Sequence, residues 1–269
     1  ADDGIRDLVR SRGLGDVYKR QHLGHDRGAD EVARAAIQED AHCVAITSYQ
    51  GGAVEMFTHT KQILDESDFG HVSLVGGGGG TILPNEIQHL LDSNIAKIYS
   101  PEDGRELGLT GMVSDAIKRA SKNNLLDPKR FESLKEPITA DNHSSVSKLL
   151  TLAENADEGI FREILEKVRS TDGSRCPVVG LTGTGGAGKS SLTDELMLRI
   201  QRDNPGTKIA LLATDPTRKR TGGALLGDRI RMNSLSDENL FMRSFASRDS
   251  GREIADCIGR SIEACKAVG

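Results

Sequence analysis

Eight residues near the middle of the chain have the types and the spacing of a phosphate-binding loop. The run Gly183-Thr184-Gly185-Gly186-Ala187-Gly188-Lys189-Ser190 satisfies the pattern G-x-x-x-x-G-K-[S/T]. In such a loop the glycines let backbone N–H groups turn toward phosphate, and the following helix adds its positive dipole. Lys189 is the catalytic candidate because it can reach the outer phosphates, and the Ser190 hydroxyl can bind Mg²⁺. The motif predicts binding of a nucleoside triphosphate.

Two elements must position this loop. The apolar run 177–182 predicts a short buried strand before it, and apolar residues recur at helical spacing from 192 to 200 after it. A second apolar run, residues 209–213, predicts another buried strand that ends in Thr214-Asp215-Pro216. A carboxylate at such a strand end is well placed to hold Mg²⁺, directly or through water.

The segment 218–232 combines glycines, several arginines and the carboxylate of Asp228. It is either a solvated basic loop or a mobile switch that closes on the γ-phosphate. Asp228 and Arg231 lie about one helical turn apart and could face one site, which favours the switch.

The first half of the chain alternates short apolar runs with helical patterns. This alternation predicts a parallel sheet with helices on both faces. The predicted strands are 43–47, 72–75 and 96–99, and the predicted helices are 30–39, 53–65, 85–92 and 106–122. A polar, helical stretch then leads toward the phosphate loop and reads as a linker.

Three loops after the predicted strands are poor in bulky side chains: residues 48–52, 76–80 and 100–104. Ligands of open parallel sheets bind beyond the carboxyl ends of the strands. The five glycines 76–80 lack the G-x-G-x-x-G context of a nicotinamide site. They are either a flexible turn or a bare backbone against which a flat or bulky ligand lies.

Composition narrows the class of protein. A chain of 269 residues predicts two domains, and a net charge of −5 argues against a general nucleic-acid binder. No apolar run reaches membrane-spanning length and no signal-peptide pattern opens the sequence, so we expect a cytoplasmic protein without a membrane partner. The four cysteines are scattered and predict reduced thiols.

Both halves of the chain resemble known domains. His25-Asp26-Arg27-Gly28, Ser48-Tyr49-Gln50-Gly51-Gly52, Gly76 to Gly80 and the segment 98–104 resemble the cobalamin-binding domain of acyl-CoA mutases. Segments 184–196 and 221–232 resemble the GTPase chaperone of those mutases. This domain order on one chain is similar to that of the fused isobutyryl-CoA mutases.

The resemblance implies a flavodoxin-like, Rossmann-type domain that binds adenosylcobalamin, followed by a helical linker and a P-loop NTPase α/β domain. His25 is the implied cobalt ligand. The other cofactor-binding residues that it implies are Ser48, Gly76, Gly77, Gly78, Ser100 and Glu102.

The same resemblance implies that the GTPase gates loading and release of the cofactor. The residues implied for GTP are Gly186, Ala187, Gly188, Lys189, Ser190, Ser191 and Arg231, and those for Mg²⁺ are Ser190, Thr214, Asp215 and Asp228. A downstream barrel domain would bind the acyl-CoA substrate and rearrange isobutyryl-CoA to n-butyryl-CoA through radicals. A homodimer is implied for the full-length protein.

The sequence departs from the family at both ends. Leu23 stands where the motif D-x-H-x-x-G has aspartate, which would weaken ligation by His25 and leaves an ordinary surface histidine as the alternative. Residues 1–22 resemble translated sequencing-adapter read-through, so we expect a non-native segment joined to a truncated gene. The sequence ends before an N-K-x-D motif, so guanine specificity rests on the resemblance.

We therefore predict four segments: a non-native segment 1–22, a cobalamin-binding domain 23–124 without its first strand, a helical linker 125–175, and the N-terminal part of a P-loop GTPase domain 176–269. The alternative is a receiver-like doubly wound domain that regulates a P-loop ATPase or GTPase. Receivers need an acidic cluster, whereas the loop that begins Ser48-Tyr49-Gln50 is uncharged. A metal-carrier GTPase would need His- or Cys-rich tracts, which the sequence lacks.

Overall fold

The computed structural model shows a mixed α/β protein whose paired strands run parallel. Its contacts divide the described chain into two compact units: residues 26–125 form the first, and residues 19–25 with residues 126–269 form the second. The structure describes residues 19–49, 51–132, 134, 138–169, 176–216, 224–226, 229–247 and 257–269.

The first unit is an α/β layer built on three parallel strands. Its elements are α1 Ala29–Gln38, β2 Cys43–Thr47, α2 Ala53–Glu66, β3 Ser73–Gly77, α3 Pro84–Asp92, β4 Lys97–Tyr99 and α4 Pro101–Ala120. The strand order is β2-β3-β4. Cys43 lies opposite Ser73 in the first strand pair, and Val75 lies opposite Lys97 in the second. The three predicted strands and their parallel direction are confirmed.

One face of α1 forms the core of this unit with α2 and the turn that follows it. Ala33 and Ile37 of α1 pack against Leu64, Phe69 and Val72, all of them buried. The alanine and the isoleucine are one helical turn apart, so burial of a single stripe stabilises the helix. Among the described strands, β3 alone pairs with β2, which leaves β2 at the edge of its sheet.

Helix α4 begins earlier than the sequence pattern predicted. It starts at Pro101, because Ser100 and Asp103 form a capping box in which each side chain accepts from the other's backbone N–H, at 3.2 and 2.8 Å. The helix is then interrupted at Gly108, whose backbone is not helical. The predicted start at residue 106 lies next to this break.

The described part of the second unit contains two pairs of parallel strands. Its elements are β1 Lys19–Gln21, α5 His143–Asn155, α6 Glu158–Val168, α7 Lys189–Asp203, β5 Ile209–Pro216, β6 Ala224–Leu226, β7 Leu240–Ser247 and α8 Ile258–Val268. Strand β5 pairs with β7, and β1 pairs with β6. Ile209 lies opposite Leu240, and the β5–β7 register continues to Pro216 opposite Ser247.

The segment predicted as a helical linker, residues 125–175, forms α5 and α6. Both helices contribute to one hydrophobic core with the rest of the unit: Leu149 and Leu165 are fully buried in a cluster that includes Phe241 of β7 and Val268 of α8. In the structure these helices therefore pack as part of the second unit.

A buried group of charged side chains joins α5 to β7. Arg243 is 2% exposed and donates to the Thr151 hydroxyl at 3.0 Å and to the Glu154 carboxylate at 3.3 Å. Lys19 donates to the same carboxylate at 2.7 Å. Burial alone would raise the pKa of Glu154, but the charges of Lys19 and Arg243 outweigh it and lower that pKa.

One predicted element is wrong. Residues 177–182 are not a buried strand: they pair with no described strand, and Val178 and Val179 are 53% and 73% exposed. An apolar run becomes a buried strand only when a neighbouring strand supplies hydrogen-bond partners. Strand β5, which the sequence also predicted, pairs with β7 and not with residues 177–182.

Among the described helices, none combines the length and apolar character needed to span a membrane.

Candidate functional site

The phosphate loop, residues 183–190, has a backbone that depends on glycine. Gly186 and Gly188 both have φ of +81°, in the left-handed region that other residues rarely adopt. A methyl group added to either Cα would meet no atom within 4 Å, so conformation rather than space requires glycine there. The loop is exposed up to Gly188.

Lys189 lies over its own loop. Its ammonium group donates to the carbonyl oxygens of Gly183 at 2.6 Å and Thr184 at 2.9 Å. This places the cation at the mouth of the loop, where anionic phosphate would compete with neutral carbonyls for it.

Helix α7 follows the loop without interruption, as predicted. Gly188 is its N-cap, and the first intrahelical bond runs from Leu192 N–H to the Gly188 carbonyl at 2.9 Å. Ser190 lies half-buried in the first turn and Ser191 is exposed. The positive end of the helix dipole is therefore at the loop.

The structure describes some of the predicted Mg²⁺ ligands. Thr214 and Asp215 are at the carboxyl end of β5, opposite Phe245 and Ala246 of β7. The side chain of Asp215 and all of Asp228 lie outside the description, as does the side chain of Arg231, although its backbone forms a 3₁₀ turn, Arg229–Arg231. No group of three or more His, Cys, Asp or Glu side chains is gathered for a metal among the described residues.

The glycine-rich loop of the first unit has a different basis. A Cβ on Gly76 would clash with the Ile46 carbonyl oxygen and the Phe57 ring, and one on Gly77 would lie 2.8 Å from the Tyr99 carbonyl oxygen. At Gly78 it would lie 2.6 Å from the Thr81 hydroxyl oxygen. These glycines let β3 and the turn after it approach β2, α2 and β4 closely.

Two other cofactor residues predicted for this unit, Ser48 and Ser100, directly follow the carboxyl ends of β2 and β4, and Glu102 lies in the first turn of α4. Ser48 is half-buried, and its backbone N–H donates to the Gly77 carbonyl at 3.0 Å. The Ser100 hydroxyl caps α4, and Glu102 is exposed and pairs with Arg105 at 3.3 Å. His25 belongs by its contacts to the second unit.

Comparison with known proteins bears on the half of the chain that contains the phosphate loop. Residues 146–269 match the family model of the methylmalonyl Co-A mutase-associated GTPase MeaB. The matched range begins inside α5 and includes the loop, α7, β5 and β7. The phosphate-binding part of the chain is therefore similar to this GTPase family.

Longer relatives match more of the chain. Proteins named fused isobutyryl-CoA mutase from Geobacillus kaustophilus, Cupriavidus metallidurans and Nocardia farcinica are 44%, 42% and 43% identical over 92%, 98% and 98% of this chain. The chain spans about a quarter of their length, 23% in the first and 24% in the other two.

Two polar residues of the MeaB-like region escaped the sequence interpretation. Asp194 on α7 is 7% exposed and accepts hydrogen bonds from the backbone N–H groups of Asn233 and Ser234, at 3.1 and 2.8 Å. Arg229, also buried, donates to the Met242 carbonyl at 2.7 Å. The available signal for Asp194 was its position three residues before Met197, on the buried side of α7.

In the first unit, the sequence interpretation also missed a hydrogen-bond network that joins Tyr99, Asp115 and Arg119. The Tyr99 hydroxyl donates to Asp115 at 3.0 Å, and the guanidinium of Arg119 donates to the same carboxylate at 2.9 Å and to the Ala96 carbonyl at 2.8 Å. Burial raises the pKa of Tyr99, and the hydrogen bond to Asp115 acts in the same direction. The network fixes α4 against β4, and with it the loop at Ser100.

Proposed function

We propose that residues 176–269 bind and hydrolyse GTP with Mg²⁺ and that residues 23–124 bind adenosylcobalamin. The GTPase would gate loading of this cofactor onto an acyl-CoA mutase that rearranges isobutyryl-CoA to n-butyryl-CoA. The observation that carries the proposal is the phosphate loop at the start of α7, within a region similar to mutase-associated GTPases.

The roles in the nucleotide site follow from the loop. Backbone N–H groups of Gly186 to Ser191 would donate to the β- and γ-phosphates, because the left-handed glycines turn them away from regular helix geometry. Lys189 would exchange the Gly183 and Thr184 carbonyls for phosphate oxygens. That exchange replaces neutral acceptors with charged ones, so it is favourable.

Mg²⁺ would be held by four oxygen-bearing side chains: Ser190, Thr214, Asp215 and Asp228. The ion would supply positive charge that offsets the negative charge developing during hydrolysis. Arg231 would contact the nucleotide from the segment that follows Asp228. The backbone of this segment forms the 3₁₀ turn Arg229–Arg231, which belongs to the same unit as the loop.

Support for the cofactor in the first unit comes from the small residues after its three parallel strands, at Ser48, Gly78 and Ser100. They follow consecutive parallel strands and meet at one edge of the sheet, which is where open parallel sheets bind ligands. Ser48 and the glycines 76–78 would line the pocket for the cofactor's nucleotide tail, and Ser100 and Glu102 would lie beside it. His25 would ligate cobalt. The receiver alternative gains no support, because Ser48 and Gly77 stand at the strand ends where a phosphorylated aspartate would be needed.

The nucleotide proposal is tested by displacing a fluorescent GTP analogue from the chain with GTP, GDP or ATP in the presence of Mg²⁺. We expect GTP and GDP to displace the analogue, and the comparison with ATP tests the guanine selectivity that the resemblance to GTPases implies. Chelating Mg²⁺ with EDTA should weaken GTP binding more than GDP binding. Equal competition by ATP would contradict guanine selectivity, and failure of the analogue to bind would contradict the nucleotide site itself.

The cofactor proposal has an independent test. Adenosylcobalamin mixed with the chain should show the absorbance shift of base-off, histidine-ligated cobalamin. His25→Ala should abolish the shift, whereas the matched variant His22→Ala should keep it, because His22 fits no motif position. No shift with the unmodified chain, or an equal shift in both variants, would contradict ligation by His25 and leave the nucleotide result untouched.

A further inference from the structure

Asp194 joins the helix of the phosphate loop to the segment that carries Arg231. Its carboxylate accepts from the Asn233 N–H at 3.1 Å, the Asn233 side-chain amide at 3.2 Å and the Ser234 N–H at 2.8 Å. Burial alone would raise the pKa of Asp194, but the hydrogen bonds from Ser234 and Asn233 outweigh it and lower that pKa. The group is therefore a carboxylate at neutral pH and its three bonds are charge-assisted.

The same segment is anchored at its other end. Arg229 donates to the Met242 carbonyl of β7 at 2.7 Å, within the interior of the unit. Between the two anchors Met232 is buried against Met197 of α7 and Leu240 of β7. The backbone of Arg231 is thus held from both sides.

The anchor on α7 lies close to the loop. Asp194 follows Lys189 by five residues on one uninterrupted helix, a rise of about 7.5 Å at 1.5 Å per residue. A helix of this length moves as one body over such a distance. A displacement of the loop on nucleotide binding would therefore be transmitted to Asn233 and Ser234.

We propose that Asp194 is a positioning residue that fixes residues 229–234 to the phosphate-loop helix, so that Arg231 is prepositioned for the terminal phosphate of the nucleotide. The inference rests on the proposed GTP site and adds a specific consequence. Because a switch at residues 218–232 would close on the γ-phosphate, Asp194 should matter for a nucleoside triphosphate and little for a diphosphate. A merely structural role would affect both nucleotides alike.

The test uses Asp194→Asn, which keeps the size of the side chain but removes the charge. The matched control is Glu195→Gln, which removes the neighbouring carboxylate, itself exposed and paired with Arg199 at 2.7 Å. Affinities for a non-hydrolysable GTP analogue and for GDP are measured by fluorescence. Hydrogen exchange at the Asn233 and Ser234 amides is followed with and without the analogue.

We expect Asp194→Asn to weaken binding of the GTP analogue about tenfold, to leave GDP affinity within about twofold, and to speed exchange at both amides about tenfold. Glu195→Gln should match the unmodified chain in every measurement. If the asparagine variant does not fold, Asn233→Ala, which removes one side-chain donor, should weaken binding of the GTP analogue about fivefold and leave GDP affinity unchanged.

Three results would overturn the inference. Equal weakening of both nucleotides, or unchanged exchange at Asn233 and Ser234 in Asp194→Asn, would show that this carboxylate does not position the segment. Failure of the unmodified chain to bind either nucleotide would overturn the proposed GTP site and the inference with it. The first pair of results leaves the GTP site intact, so the two failures are distinguishable.

Discussion

The two glycine-rich loops of this chain use the same residue for different physical reasons. At Gly76 to Gly78 the absent side chain leaves space for the protein itself: the Phe57 ring, the Tyr99 carbonyl and the Thr81 hydroxyl fill it. At Gly186 and Gly188 nothing lies within reach of a Cβ, and the left-handed backbone is what excludes other residues.

The difference shows what each loop contributes. Close approach at 76–78 brings the carboxyl ends of the three strands together, so these glycines act through packing. The open glycines at 186 and 188 turn N–H groups outward, so they act through backbone direction. A glycine run in a sequence therefore predicts a site only when its surroundings are known.

The largest effect is expected from Gly76→Ala. The added methyl group meets the Ile46 carbonyl and the Phe57 ring inside the first unit, so overpacking should destabilise that unit by about 3 kcal/mol. Denaturant unfolding followed by circular dichroism measures this change. Nucleotide affinity, which depends on the second unit, should stay within about twofold. A variant as stable as the unmodified chain would show that β3 is not closely packed at Gly76.

Gly188→Ala should have an intermediate effect of a different kind. Space is available, but an alanine at φ of +81° costs about 1–2 kcal/mol or forces the loop out of shape. We expect this cost to appear mainly as weaker nucleotide binding, about tenfold, measured with a fluorescent analogue. Unaltered affinity in a folded variant would mean that the left-handed conformation is not used for binding.

The smallest effect is expected from Gly185→Ala. This glycine has no left-handed φ and no atom within 4 Å of an added Cβ. Alanine should therefore be neutral, or stabilise by about 0.5 kcal/mol through a less flexible unfolded chain. It is the matched control for Gly188→Ala in both the unfolding and the binding measurement. A loss as large as that of Gly188→Ala would mean that space, not conformation, limits the phosphate loop.

Much of the fold could be predicted from periodicity alone. The apolar run Cys43–Thr47 gave strand β2 with the same bounds, and Pro84 marked the start of α3 because proline suits the first turn of a helix. The start of α4 was misplaced because Pro101 to Gly104 resemble a loop. The capping box of Ser100 and Asp103 was the signal that could have corrected it.

The rest depended on tertiary partners. Residues 177–182 have the composition of a buried strand. A buried strand, however, needs backbone hydrogen bonds to an adjacent strand, and an apolar pattern does not indicate which strand that is. The carboxylate of Asp194 likewise resembles any other acidic residue of a helix in the sequence. Its role depends on Asn233 and Ser234, 39 and 40 residues later, which only the fold brings near.

The phosphate loop was recognisable from its residues alone, and nucleotide binding at this loop can be tested directly. Binding of Mg²⁺ and a non-hydrolysable GTP analogue is measured by calorimetry for the unmodified chain, for Lys189→Met and for Lys167→Met, which removes an exposed lysine of α6 as the control. We predict saturable one-to-one binding that Lys189→Met weakens at least about tenfold and that Lys167→Met leaves unchanged. Equal affinity in all three proteins would contradict a phosphate site at residues 183–190.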